Sequence, residues 1–391
     1  MLDKAKSLLQ PSARSAVPPF LVMDVVAAAA RLEAQGRRIV HMEVGQPAAK
    51  APSAAITAAR AALSRDTLGY TETLGIGSLR ARISWAYREW HSLDIDPQRI
   101  VVTTGSSAGF ILAFLAAFEP GDRVAMALPG YPPYRHILSA LGCEAVGIET
   151  TEQTRWSITG ENLLAQHRKQ PVKGVIIGSP ANPTGTMMSG PALAELVGCA
   201  EDAGIVVISD EIYHGLDYAF AAESAARISS DAIIINSFSK YFCMTGWRIG
   251  WMVVPSALVR AVERLQQNLA ISVPTLSQIA AEAAFDGRTE LEKVRHGYQE
   301  NRRILLEGLP RAGLDSFLPA DGAFYLYADI SRLSTDSFAF ATRMLEDAGV
   351  AVTPGIDFDP LRGNHFVRLC YAGSRRDMRE AIDRIGTWLK A

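Results

Sequence analysis

From residue 100 onward, short apolar runs alternate with stretches of helical periodicity, and this alternation restricts the fold more than any other feature. Seven runs are apolar enough to be strands buried on both faces: IVVTT, RVAMAL, EAVGIE, VKGVIIG, IVVISD, AIIINSF and RIGWMVV. Helical stretches such as SAGFILAFLAAF and GPALAELVGCAEDAG separate several of them. Buried strands joined through helices are typical of a mostly parallel sheet with helices on both sides. The pattern therefore predicts an α/β fold.

The remainder of the chain predicts a second, smaller α+β unit. A long helical stretch covers about residues 256–309, and the strands GAFYLYADI and FVRLCYA follow it, with a helix between them and another at the end. We predict a large domain over residues 41–285 and a small domain over residues 286–391. The N-terminal segment, residues 1–40, contains an Ala-rich helix over about residues 23–35. We expect this helix to pack with the small domain or to bridge the two units.

Length, charge and cysteine usage exclude several classes of protein. At roughly 150 residues per domain, a chain of 391 residues predicts two or three domains. The formal net charge of −2 provides no attraction for nucleic acid or an anionic membrane. The longest apolar run is too short to span a bilayer, and the N-terminus lacks the apolar core of a secretory signal. Four widely spaced cysteines predict no zinc cluster and a reducing compartment, which favours the cytoplasm: Cys143, Cys199, Cys243 and Cys370.

Small and polar residues follow five of the predicted strands. Because open α/β sheets bind ligands at the carboxyl ends of their strands, these segments are expected to converge on one site. The segments are Gly105-Ser106-Ser107, Pro129-Gly130-Tyr131, the SPANPTG turn at residues 179–185, Asp210, and Ser237-Phe238-Ser239-Lys240.

Lys240 is the most informative of these residues. Alone, a lysine after a strand is usually a solvated loop residue. Here it lies between aromatic side chains, and partial burial lowers the pKa of an amine towards that of a usable nucleophile, able to form a Schiff base. An anion-binding group surrounds it: the hydroxyls of Ser237 and Ser239, the Arg248 cation, and the backbone amides of Ser106 and Ser107 at a helix N-terminus. An amine beside a phosphate-binding group is what pyridoxal phosphate requires.

Four further side chains fit the ring of that cofactor. Asp210 can hold a pyridine nitrogen protonated, although a helix cap or a structural ion pair is an equal alternative. Asn182 and Tyr213 can donate to the phenolate oxygen, and alone Asn182 would be an ordinary loop residue. Tyr131 can stack on the pyridine ring, although an aromatic residue in a Pro-rich loop usually serves packing.

Arg368 is a charged residue inside the apolar strand HFVRLCYA. A buried arginine needs a partner. An internal salt bridge would satisfy it, and if no internal carboxylate does so, the carboxylate of a substrate is the alternative.

These motifs together resemble the class I/II aminotransferases, which are fold-type-I pyridoxal-phosphate enzymes. The stretches that match, in the family's order, are MEVGQP, GYTETLGIGSLR, TTGSS, PGYPPY, SPANPTG, SDEIY, SFSKYFCMTGWRIGW, DGAFYLY and FVRLCYA. One departure is Gln46, where the family usually has an acidic residue. The resemblance covers nearly the full chain.

The resemblance implies a role for each matching residue. Lys240 would carry the cofactor as an aldimine and then move the proton, Asp210 would pair with the pyridinium nitrogen, and Tyr213 would bond the phenolate oxygen. Asn182, Tyr131 and the phosphate-binding residues Ser106, Ser107, Ser237, Ser239 and Arg248 would hold the cofactor.

The resemblance also implies a substrate site and a partner. Arg368 would bind the substrate α-carboxylate beside Gly45, and Tyr70 would reach the cofactor phosphate of a neighbouring subunit, which implies a homodimer with shared sites. Phe20 follows Pro18 and Pro19 where family members often contact substrate, and its apolar character favours an apolar or aromatic side chain. No metal is expected.

The reaction expected from the resemblance is a ping-pong transfer of an amino group between an L-amino acid and a 2-oxo acid. One alternative is another enzyme on the same fold, a cysteine-conjugate β-lyase, because the same residues support elimination. The other is a ligand-sensing domain of a transcription regulator. That alternative is disfavoured because only about 22 residues, not strongly basic, precede the first helix.

Overall fold

A computed structural model of the chain describes residues 10–391. The first nine residues, on which part of the argument against a secretory signal rests, lie outside the described residues. In chain order the strands are β1 (Val40–His41), β2 (Ile100–Thr103), β3 (Arg123–Leu128), β4 (Glu144–Glu149), β5 (Gly174–Gly178), β6 (Val206–Asp210), β7 (Ile233–Ser237), β8 (Gly250–Val253), β9 (Tyr325–Asp329), β10 (Val350–Ala351), β11 (Thr353–Pro354) and β12 (Phe366–Cys370).

The longest of the described α-helices, with 25 residues, begins at Arg288. In chain order the α-helices are α1 (Leu21–Ala34), α2 (Ser53–Arg65), α3 (Gly77–His91), α4 (Gly105–Ala117), α5 (Pro132–Ala140), α6 (Gly160–Lys169), α7 (Gly190–Asp202), α8 (Ser256–Leu269), α9 (Thr275–Ala284), α10 (Arg288–Ala312), α11 (Ser337–Arg343) and α12 (Arg375–Trp388). The predicted breaks near Pro274 and Gly287 separate α8, α9 and α10. The last of these helices continues past Pro310, because a proline near the helix end removes few hydrogen bonds.

The seven runs predicted as buried strands form one seven-stranded sheet in the order β2-β8-β7-β6-β5-β3-β4. The pairs among β3 to β7 are parallel, whereas β8 runs antiparallel to both of its neighbours. Apolar side chains on the two faces belong to two separate core clusters, as a sheet covered by helices on both sides requires. The predicted α/β class is confirmed.

The reversed strand β8 changes which residues meet at the ligand-binding edge. For the parallel strands that edge is at the carboxyl end, but for β8 it is at the amino end. The connection from β7 to β8, residues 238–249, therefore lies entirely at this edge. It carries both Lys240 and Arg248.

The C-terminal part contains a three-stranded antiparallel sheet in the order β11-β12-β9, and β1 pairs with β10. Helix α1 contacts β10 and β11. The buried Asp357 carboxylate holds its N-terminus by accepting hydrogen bonds from the amides of Leu21 and Val22, both at 3.3 Å. The domain limits at residues 40 and 285 stay predictions.

Candidate active site

The amine of Lys240 lies at the centre of the residues singled out above. Its Nζ donates a hydrogen bond to the backbone carbonyl of Gly45 at 2.7 Å. Burial lowers the pKa of this amine to about 8; the Arg368 cation also lowers it, whereas Cys370 and Asp210 act in the opposite direction. At pH 7 about a tenth of Lys240 is therefore uncharged, far more than for an ordinary lysine, and the uncharged amine is the nucleophilic form.

Asp210 ends β6 and is 4% exposed. One carboxylate oxygen accepts from the backbone amide of Ile212 at 3.1 Å, and the other accepts from the Tyr134 hydroxyl. No cationic group among residues 10–391 lies within ion-pair distance, so the structural salt bridge is excluded for the described chain. Burial raises the pKa of Asp210 to about 6. A protonated ring nitrogen would supply the missing cation.

Arg368 lies in β12 and is 2% exposed. Its partners are the Asn182 side-chain oxygen at 2.8 Å, the Thr353 hydroxyl at 3.1 Å and the backbone carbonyl of Glu43. Within residues 10–391 no carboxylate forms an ion pair with it, and its Nε has no partner. The internal salt bridge is therefore absent from the described structure, and a substrate carboxylate remains as the counter-ion.

The bond from Arg368 also determines how the Asn182 side chain is oriented. Arginine only donates, so Asn182 accepts with its oxygen and turns its NH₂ group away from the guanidinium. Among the described residues this NH₂ group has no acceptor. A phenolate oxygen would provide one.

The expected phosphate-binding residues come from two connections. Helix α4 begins at Gly105, so the amides of Ser106 and Ser107 are in its first turn, where no intrahelical acceptor exists. Ser237 and Ser239 are buried, and their hydroxyls are 2.9 Å apart.

Arg248 lies against the start of α4. Gly105 has a φ of +73°, a left-handed conformation that favours glycine, and a Cβ there would lie 2.6 Å from an Arg248 guanidinium nitrogen. Arg248 donates to the Thr245 carbonyl at 3.0 Å and has no carboxylate partner in the part of the chain that the structure describes. A free cation beside free amides fits a phosphate.

The two aromatic residues expected to contact the ring and the substrate lie next to each other. Phe20 meets Tyr131 edge to face, with ring centres 6.0 Å apart. The Asp357 bonds to the first turn of α1 position this part of the N-terminal segment. Tyr70, in contrast, is 82% exposed on its own chain and is not brought to this site.

The sequence motifs predict no functional role for two tyrosines that the structure places in the site. Tyr134 lies one helical turn after Tyr131 in α5 and reaches Asp210. Tyr325 begins β9, and its hydroxyl is 2.7 Å from that of Tyr213. The PGYPPY and GAFYLY motifs contain both residues, but the spacing alone does not reveal these contacts.

Comparison with known proteins identifies the family. The model of the aminotransferase class I and II family matches residues 37–385.

The chain belongs to the class I and II aminotransferases.

Relatives support this assignment across nearly the whole length of the aminotransferase. It is 49% identical to a valine–pyruvate aminotransferase of Mycobacterium tuberculosis, over 96% of this chain and 97% of that protein. It is 34% identical to a (5-formylfuran-3-yl)methyl phosphate transaminase of Methanocaldococcus jannaschii, over 95% and 96%.

Solved structures agree. An aminotransferase from Mycobacterium tuberculosis superposes with a TM-score of 0.95 at 48% identity, covering 98% of this chain and 99% of that one. The Thermus thermophilus aspartate aminotransferase with maleate has a TM-score of 0.91 at 32% identity, covering 97% and 100%. The expected fold type and transaminase activity are confirmed, and pyridoxal phosphate is the cofactor.

The residues of this aminotransferase fit that cofactor. Asp210, a buried carboxylate without a cationic partner, suits the pyridinium nitrogen. Arg248 and the amides of Ser106 and Ser107 suit the phosphate, and the unpaired NH₂ group of Asn182 suits the phenolate oxygen. Within the described residues no group of His, Cys, Asp or Glu side chains could hold a metal ion. A search of the same residues finds no helix long and apolar enough to cross a membrane.

Proposed function

We propose that this aminotransferase uses a small apolar amino acid of the valine type as donor and pyruvate as acceptor. The observation that carries the proposal is the 49% identity to a protein named valine–pyruvate aminotransferase. A small cavity of about 40 Å³ adjoins Asn182; no charged residue lines it, and neither Lys240 nor Arg368 borders it. Its walls include Tyr131, Trp156, Ile158 and Met188.

We propose a role for each site residue, and the contacts described above support these roles. Pyridoxal phosphate, when bound, supplies the electron sink that makes the substrate Cα proton removable. Arg368 binds and orients the substrate carboxylate, and Asp210 holds the ring nitrogen in its charged form. Lys240 Nζ is the base that takes the Cα proton, and the same nitrogen afterwards delivers a proton.

The other expected residues hold the cofactor. Asn182 and Tyr213 donate to the phenolate oxygen, and Tyr131 lies against the ring. Ser106, Ser107, Ser237, Ser239 and Arg248 bind the phosphate, and Gly45 and Phe20 border the substrate. The relatives reported above are named as aminotransferases or transaminases, so the β-lyase alternative has no support from them.

A panel of amino donors tests the substrate proposal. With pyruvate as acceptor, we expect kcat/KM for valine to exceed that for aspartate at least about 100-fold, because a second carboxylate would be buried without a partner. Alanine formation is measured by chromatography. Leucine and phenylalanine report the size limit of the pocket. A preference for aspartate, or no alanine from any donor, would contradict the proposal while leaving the aminotransferase family assignment intact.

We also propose that the active form is a homodimer in the cytoplasm. Tyr70 belongs to an exposed apolar patch with Leu269 and Ile271, which are 60% and 51% exposed. Hydrogen bonds from Thr71 to Ser272 and from Thr275 to Gly69 join the two segments. A contiguous exposed apolar patch marks an interaction surface, and a second copy would place Tyr70 at its phosphate site. Four free cysteines favour a reducing compartment.

Hybrid dimers test the shared site. A chain with Lys240→Ala is combined with a differently tagged chain carrying Tyr70→Ala, and the doubly tagged dimer is isolated. We expect each homodimer to be impaired and the hybrid to recover about half of the wild-type activity, because one of its two sites then has both residues intact. A hybrid no more active than the Tyr70→Ala homodimer would show that Tyr70 does not act across the interface.

A further inference from the structure

Tyr325 touches three of the residues that define the site. It begins β9 and is 1% exposed. Its hydroxyl is 2.7 Å from the hydroxyl of Tyr213. The guanidinium carbon of Arg368 lies 4.5 Å from the centre of its ring. A Cβ on Gly45 would overlap the Tyr325 hydroxyl, so the backbone there packs directly on this group.

We propose that Tyr325 is a positioning residue that determines the direction in which Tyr213 donates its proton. The inference rests on the proposed role of Tyr213 at the phenolate oxygen. Each phenol has one proton, and a phenolate oxygen can only accept. If Tyr213 donates to the phenolate, its own oxygen must be the acceptor in the pair with Tyr325. Tyr325 is then the donor.

This direction has an electrostatic consequence. Donors in series polarise one another, so the Tyr325 proton makes Tyr213 a stronger donor. Both phenols are buried, and burial raises the pKa of each above its usual value, so both keep their protons at neutral pH. The pair therefore spreads the negative charge of the phenolate oxygen without transferring a proton.

The Tyr325 ring also lies against Arg368, the residue proposed to bind the substrate carboxylate. Arg368 lies between the rings of Tyr325 and Phe358, at 4.5 Å and 4.7 Å from their centres. Ring faces attract a cation without neutralising it, so the guanidinium keeps its charge for a substrate carboxylate. Through Tyr325, the arginine and the phenolate donor are held against one rigid strand.

The experiment is a pH titration of the visible absorbance of the loaded enzyme. Losing a donor concentrates negative charge on the phenolate oxygen, which favours the proton on the nitrogen that joins Lys240 to the cofactor. We expect Tyr325→Phe to raise the titration midpoint by about 0.5 pH unit, the effect of one neutral hydrogen bond. Tyr213→Phe should raise it further. In the double variant Tyr325→Phe should add no shift, because its effect passes through Tyr213.

A matched control is available on the same strand. Tyr327 is also buried, and its hydroxyl has no hydrogen-bond partner among residues 10–391, so Tyr327→Phe should leave the midpoint unchanged. An unshifted midpoint in Tyr325→Phe, with Tyr213→Phe shifted, would overturn this inference alone. An additive shift in the double variant would also overturn it. No shift in Tyr213→Phe itself would instead contradict the proposed role of Tyr213.

Discussion

Replacing Lys240 by Ala is expected to reduce turnover by at least about 10⁴-fold, because the variant has no base at the position of the Cα proton. The amine lies at the carboxyl edge of the large sheet, and its lowered pKa of about 8 suits both nucleophilic attack and proton transfer. Rates are measured in single turnovers with valine. Borohydride reduction followed by peptide mass analysis should locate the cofactor on Lys240 in the wild type and find no adduct in the variant.

The control for this variant is Lys173→Ala, which removes an exposed lysine next to β5. Both activity and borohydride labelling should remain at the wild-type level. Wild-type turnover in Lys240→Ala, or cofactor attached by borohydride to another lysine, would refute the assignment of Lys240.

Replacing Asp210 by Asn has two expected effects of opposite sign. Turnover should fall about 10³-fold, because the amide cannot stabilise a charged ring nitrogen. The cofactor-free protein should become more stable near neutral pH. Burial raises the pKa of Asp210 from 3.8 to about 6, so between these values the folded state binds more protons than the unfolded state. Its free energy of unfolding therefore falls as pH rises through this window.

The size of the stability effect follows from the same shift. A difference of about two pKa units corresponds to about 3 kcal/mol, fully expressed above about pH 6. Thermal unfolding of cofactor-free wild type and Asp210→Asn, at about pH 4 to 8, should give curves that converge at the acidic end and separate as pH rises. Asp202→Asn, at an exposed position on α7, should follow the wild type. A variant less stable than wild type at pH 8 would contradict the argument.

The large sheet could be predicted because six of its seven strands are buried on both faces; the edge strand β4, predicted to be buried in the same way, instead alternates between buried and exposed residues. Apolar runs such as RVAMAL and AIIINSF are too short for most buried helices, and this length is typical of strands covered on both faces. The direction of β8 could not be predicted in the same way. Strand direction depends on pairing partners, and RIGWMVV would look the same in a parallel strand.

The candidate site was predictable where a residue has an unusual chemistry for its place in the fold. Lys240, Asp210 and Arg368 are charged groups beside or within apolar strands, so burial makes each of them conspicuous. Tyr134 and Tyr325 could not be found this way. A buried tyrosine is ordinary, and only the coordinates show that one hydroxyl meets Asp210 and the other meets Tyr213.

The connection between β7 and β8 has a consequence for tolerance to insertions and deletions. Both Lys240, proposed to hold the cofactor covalently, and Arg248, proposed to bind its phosphate, lie on residues 238–249, between two paired strands. An insertion or deletion within residues 238–249 would displace Lys240 relative to Arg248. The turn from α4 to β3, residues 118–122, lies at the amino end of β3, at the opposite edge of the sheet from the site. Its length can therefore vary without moving Lys240 or Arg248.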